Sequence, residues 1–196
     1  MTNHRSPLRI LAESENSDTA APTGDIYGTV NASTLKLNGT TVSATAAELN
    51  RVAAVSSRLV AAGSALTLTV AAHEGKIILL DTLAGSTVTL PAATGSGARF
   101  NFLIKTVATS NSHVIKVANS SDTMAGVIYM AQDGGDTVLA FEATGTADTI
   151  TLNRSTTGGT QKGEWVELID MDTNVWAVTG GLVGTGTEAT PFSATV

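Results

Sequence analysis

Residues 88–102 read VTLPAATGSGARFNF, and this stretch decides the fold. Val88 and Leu90 alternate with threonine, as in a strand buried on one face. Pro91 has no N–H to give to a ladder and ends that strand. Ala92, Ala93, Gly95, Ser96 and Gly97 then make a loop of small residues through which backbone can pass close to backbone. Arg99 opens a second strand. In it Phe100 and Phe102 point to one face and Leu103 to the other, so a slip of one residue would turn both rings out of the core, and the pair pins the register.

The same rhythm runs on in both directions. From Ala65 onward strands are expected at 66–70, 76–81, 87–90, 99–107, 113–118, 126–130, 137–141, 149–153, 164–170 and 175–179. Turn clusters such as Ala84-Gly85-Ser86, Asp133-Gly134-Gly135-Asp136 and Thr157-Gly158-Gly159 separate them. Many short strands at regular spacing predict an all-β fold, an antiparallel sandwich or a jelly-roll or barrel. No segment recurs at a fixed period, which argues against a β-helix or solenoid. Upstream, Leu35, Leu37 and Val42 alternate with polar residues around Asn38-Gly39, the signal of a short hairpin. In SATAAELNRVAAVSSRL, residues 43–59, Thr45 and Glu48 have capping-box spacing and Leu49, Val52, Ala53 and Ser56 share one face. That predicts one short helix, whose narrow stripe must pack on the β domain or on copies of itself. The first 25 residues carry Pro7, Pro22 and Gly24 and no sustained period, as a disordered tail or an extended N-terminal arm would. Its head is basic and apolar (Arg5, Leu8, Arg9, Ile10, Leu11) and its continuation acidic (Glu13, Glu15, Asp18), so those five head residues are the candidate partner contacts. The expected organisation is an arm over 1–28, a hairpin plus short helix over 29–63, and a β-sandwich or barrel domain over 64–196.

Composition narrows the function. Aromatic residues are 4% of the chain, so the core must be built from aliphatic side chains and threonine methyls. Charged residues are only 14%, well under the roughly 25% of an ordinary domain, which leaves a surface of Thr, Ser, Asn and Gly that is cheap to bury against neighbours. A net charge of −6 argues against binding nucleic acid, which requires clustered Lys and Arg. With no cysteine, disulfides, thiolate catalysis and sulfur metal sites are excluded together. No apolar run approaches the ~20 residues of a membrane span, and the N-terminus has no signal-peptide core, so neither membrane insertion nor classical export is expected.

The chemical candidates each have a plainer explanation. His4, His73 and His113 lie on three separate segments, at no metal-site spacing, and read as surface or loop residues. Asp170-Met171-Asp172-Thr173-Asn174 begins like a calcium loop, but Val175 and Gly181 stand where glycine and glutamate are needed; a tight turn between strands fits better. Asp133 and Asp136 flank two glycines as in any hairpin loop. Gly95 to Arg99 lacks the Lys-Ser/Thr pair of a phosphate loop and leads into a strand. Trp165 and Trp176 sit in alternating strands and read as core plugs. Eight aromatics in all offer little grip for sugar rings beside paired carboxylates. No catalytic, cofactor or metal site is expected, and the chain reads as a non-enzyme.

The order of segments ALTLTVAAHEGKIILLDTLAGSTVTLPAATGSGARFNFLIK, HVIKVANSSDTMAGVI, GEWVELIDMDTNVWAVTG and GTGTEATPFS, preceded by SATAAELNRV, resembles virion surface proteins of tailed bacteriophages over roughly residues 30–196. Within that group a small acidic β domain behind an arm is most similar to capsid decoration, or cement, proteins. The resemblance implies a homotrimer on the outer surface of the capsid, made in the host cytoplasm, with the major capsid protein and its own copies as partners. In that reading the arm bridges to neighbouring subunits. A tail-fibre or tail-tip adhesion module is the alternative, set back by the absence of a long repeat or coiled coil. A polysaccharide-degrading spike enzyme comes third.

Overall fold

The computed structural model describes residues 36–46, 48–49, 58–135 and 137–196. The chain divides into two units, Met1–Thr45 and Ala46–Val196. In the first, β1 (Lys36–Leu37) and β2 (Thr40–Thr41) pair as an antiparallel hairpin. Asn38 and Gly39 hold φ of 49° and 77°, the doubly positive turn that matches strand twist. In the second, Ala46, Glu48 and Leu49 are helical, as the capping box predicts. The rest of the expected helix, at 47 and 50–57, and the whole arm lie outside the described residues.

The second unit is an all-β sandwich of two sheets. Its elements are β3 (Leu59–Ala61), β4 (Ala65–Thr67), α1 (Val70–His73), β5 (Ile77–Leu80), β6 (Thr87–Thr89), β7 (Arg99–Ile104), β8 (His113–Lys116), β9 (Thr123–Gln132), β10 (Val138–Glu142), β11 (Thr149–Leu152), β12 (Trp165–Asp172), β13 (Val175–Gly184) and β14 (Phe192–Ser193). One sheet runs β10-β9-β13-β12-β7-β5-β3 and the other β14-β11-β8-β6-β4. The expectation at 66–70 is corrected at its end: the strand stops at Thr67 and Thr69 caps the single turn of α1 by accepting from the Ala72 N–H.

Pairing departs from the antiparallel expectation. From β3 to β8 the chain alternates between the sheets, and β3-β5-β7 and β4-β6-β8 are all parallel. Parallel neighbours need a crossover, normally a helix, and here each crossover is itself a strand of the opposite sheet. The result is a flattened coil, contrary to the reading against solenoids. Its turns differ in length, since Leu59 faces Ile77 but Ile77 faces Asn101, which is why no period shows in the sequence. The remaining strands close the sandwich: β12 is antiparallel to β7 and β13, β10 to β9, and β11 to β8 and β14, while β9 lies parallel to β13.

Between the sheets the inward positions are fully covered, among them Ile78, Leu80, Phe100, Phe102, Val88, Leu90, Ile115, Ile150, Leu168 and Trp176. Phe100 meets Trp176 with ring centroids 5.8 Å apart at 57°, a tilted arrangement suited to ring quadrupoles. Phe100→Ala is therefore expected to cost about 3–5 kcal/mol. An unchanged melting temperature would contradict this placement.

Four buried carboxylates hold the loops. Asp170 accepts hydrogen bonds from the backbone N–H groups of Thr94, Gly95 and Ser96 and from both hydroxyls of Thr94 and Ser96, at 2.6–3.0 Å. The small-residue loop is thus a cradle of donors wrapped around an anion that the chain supplies itself. Glu164 does the same at the other end of β12, accepting from Gly159, Gln161 and Val183 N–H groups and the Thr160 hydroxyl. Asp148 accepts from the Thr149 hydroxyl and from Thr195 and Val196 N–H groups, tying down the C-terminus. Asp122 accepts from Ala93 N–H and the Asn119 side chain.

Burial pushes the Asp170 carboxyl up, but the Ser96, Gly95 and Thr94 donors together outweigh it and its pKa lies below the ordinary value. Asp148 behaves alike, burial opposed and outweighed by Thr195, Thr149 and Val196. Because the folded pKa values are depressed, this stabilisation is complete above the unfolded carboxylate range and is lost as pH falls through the lower folded values. Acid unfolding should accordingly begin below about pH 5. Asp170→Asn should flatten that acid limb in a pH series of melting temperatures; an identical limb would show that Asp170 is not a source of it.

Candidate interaction surface

The seven-stranded sheet has a second face, turned away from the five-stranded one. Pairing fixes which side chains share it. Leu59, Ile77, Asn101 and Leu103 are level with Trp165 and Glu167 across β3, β5, β7 and β12. Ile169, Ala177, Thr179 and Gly181 continue across β12 and β13. Val127, Tyr129 and Ala131 on β9 and Val138 and Ala140 on β10 complete it. Large apolar groups stand uncovered along this face: Leu59 is 59% exposed, Trp165 43%, Tyr129 54% and Val138 60%. Its charges are few, and Arg99 and Glu167 neutralise each other at 2.8 Å.

Trp165 shapes the middle. Its indole lies over Gly181, where a Cβ would come within 2.8 Å of the ring nitrogen. With Ile77, Asn101 and Leu103 it lines a shallow hollow, and Glu167, Ile169, Ala177 and Thr179 line a second one beside it. Scattered exposed apolar side chains need no explanation, whereas neighbouring ones on a single sheet face make it a candidate contact surface.

The arm contacts expected from sequence, Arg5, Leu8, Arg9, Ile10 and Leu11, lie outside the described residues, as do His4 and Asp136. Trp176 is the core plug expected, but Trp165 is corrected: odd-numbered positions of β12 face outward, opposite Leu103 rather than Phe102. His113 is corrected from a surface residue to a fully buried one. Its Nδ1 accepts from Ser86 N–H and its Nε2 donates to the Thr106 carbonyl, so both ring nitrogens are engaged in fixing loops. His73 closes α1, its Nδ1 accepting from Thr69 N–H. Residues 170–174 form the tight β12-β13 turn expected, with Asn174 at φ 62°.

The outer side of the five-stranded sheet carries a broader concavity lined by Ser64, Gly85, Thr87, Ser112, Thr151 and Arg154 among others. The Arg154 guanidinium donates to the Ser110 and Asn111 carbonyls and is thereby spent on its own chain. Among the described residues no carboxylate or aromatic side chain lines it. Among the described residues no three His, Asp or Glu side chains cluster as metal ligands would, and no helix is long and apolar enough to cross a membrane. Comparison with protein-family models and with curated proteins gives no match.

Proposed function

We propose that this chain is a structural protein of a tailed-phage virion that decorates and stabilises the capsid, binding the outer shell as an oligomer with its N-terminal arm bridging to neighbouring subunits. The observation that carries the reading is the nearly uncharged outer face of the seven-stranded sheet around Trp165. Burying it against protein costs little desolvation and removes exposed apolar surface from water. The order of segments that resembles virion surface proteins supports the same reading. Multiple arms on one oligomer would add avidity, roughly 10²-fold or more where the sites are correctly spaced. A protein that binds the intact shell better than the broken one stabilises it by mass action.

Antibody labelling of purified virions of the phage encoding this chain tests the location. Label over the head supports capsid decoration; label confined to the tail would replace it with the adhesion-module reading. In the full chain, replacing Leu8, Ile10 and Leu11 together by Asp should abolish shell binding while leaving the melting temperature unchanged. Undiminished binding would remove the arm from the account.

A further inference from the structure

The two sheets have four edges, and three of them are blunted by length: β3 and β4 have three residues each and β14 has two. Short edges offer too few backbone groups to recruit another strand. The fourth edge, β10, is different. It has five residues, VLAFE, with no proline, no lysine and a single charge at its end. Among the described residues no strand pairs with its far side.

The hydrogen-bond phase of that edge can be read directly. Ala143 N–H donates to the Gly126 carbonyl and Gln132 N–H to the Thr137 carbonyl. In an antiparallel ladder this turns the backbone groups of 137, 139, 141 and 143 toward β9, so those of Val138, Ala140 and Glu142 face the open edge. The inward-register side chains are also incompletely covered: Leu139, opposite buried Met130, is 37% exposed, and Phe141 is half-buried. The seven-stranded sheet thus overhangs its five-stranded partner here.

We propose that β10 is a self-pairing edge: two copies of this chain join antiparallel across a two-fold axis at Ala140, making one continuous sheet. This register pairs all five residues. It sets Ala140 against Ala140 of the second copy, Leu139 against Phe141 twice over, and Glu142 against Val138, so no like charges face each other and the two uncovered apolar groups cover one another. Moving the axis by one residue keeps the backbone phase but leaves two of the five residues without a partner in the strand, and moving it by half a residue sets edge-facing groups of one copy against inward-facing groups of the other. The proposal stands independently of capsid decoration.

The test uses the 196-residue chain, whose lack of cysteine makes any introduced thiol unique. Two-fold pairing at Ala140 places those Cα atoms ~5.5 Å apart, within the span of a disulfide. The Val138 pair would be ~14 Å apart, beyond it. Under mild oxidation Ala140→Cys should become a covalent dimer and Val138→Cys should not, both with wild-type melting temperatures. Sedimentation should show a concentration-dependent wild-type dimer that Ala140→Pro, which lacks the edge-facing N–H, converts to monomer. Equal bridging at both positions would overturn the proposal. So would a wild-type chain that stays monomeric at every concentration, as it would if another segment of the chain or a foreign strand held the edge. Shell binding, measured separately, distinguishes its failure from that of the decoration reading.

Discussion

A Gly126→Ala chain should yield no folded protein. Gly126 lies in β9 opposite Val178 of the parallel neighbour β13. A Cβ built there falls 2.0 Å from the Val178 carbonyl oxygen and 3.0 Å from its carbon. Both atoms are backbone of a central strand, so no rotamer change can relieve the overlap. The φ of 141° adds a conformation that side-chain-bearing residues avoid. The Gly126 carbonyl also receives the Ala143 N–H that closes the far end of β10, so moving the glycine loosens two pairings at once. The cost should exceed about 4–5 kcal/mol, a large share of a domain's total stability. Expression in the insoluble fraction, or a circular dichroism spectrum without β-structure, is the expected readout. Soluble protein with a wild-type melting temperature would mean that β9 and β13 do not pack as described.

Asp170→Ala should also destabilise the fold, through a loop and not through the core. It removes the acceptor of five hydrogen bonds and leaves Thr94, Gly95 and Ser96 with nothing to converge on. Those three residues are exposed, so water can replace part of what is lost. The net cost should therefore be about 3 kcal/mol rather than the sum of five charge-assisted bonds. For a chain of this size that is a fall of roughly 6–12 °C in melting temperature. Limited proteolysis should also find a new cleavage site between Thr94 and Gly97. A variant with neither effect would show that the loop holds its shape without the carboxylate.

Period-2 alternation made most strands legible, and Phe100 and Phe102 face inward as their spacing requires. The coil of β3 to β8 was hidden because its successive turns have unequal lengths, so geometry repeats while sequence does not. β12 shows where alternation runs out: in Trp165-Val166-Glu167-Leu168-Ile169 large apolar residues stand on both faces, and the pairing of Val166 with Phe102 tells which face is core. That two-sided pattern, seen again in Ile77-Ile78-Leu79-Leu80, was itself the signal of an apolar outer face. Asp170 was legible in principle. It follows Val166 and Leu168 on the inward parity of β12, and a carboxylate on a core face must have donors waiting for it. His113, on one parity with Ile115 and Val117, carried the same hint.

We propose that the outer face around Trp165 is the surface that docks on the shell. The most direct test is rebinding to phage shells stripped of the protein, comparing the wild-type chain with Trp165→Asp and Tyr129→Asp. The wild type should bind saturably and raise the temperature at which shells rupture, while both variants keep the wild-type fold and fail to bind. Variants that decorate and protect shells as well as the wild type would contradict it.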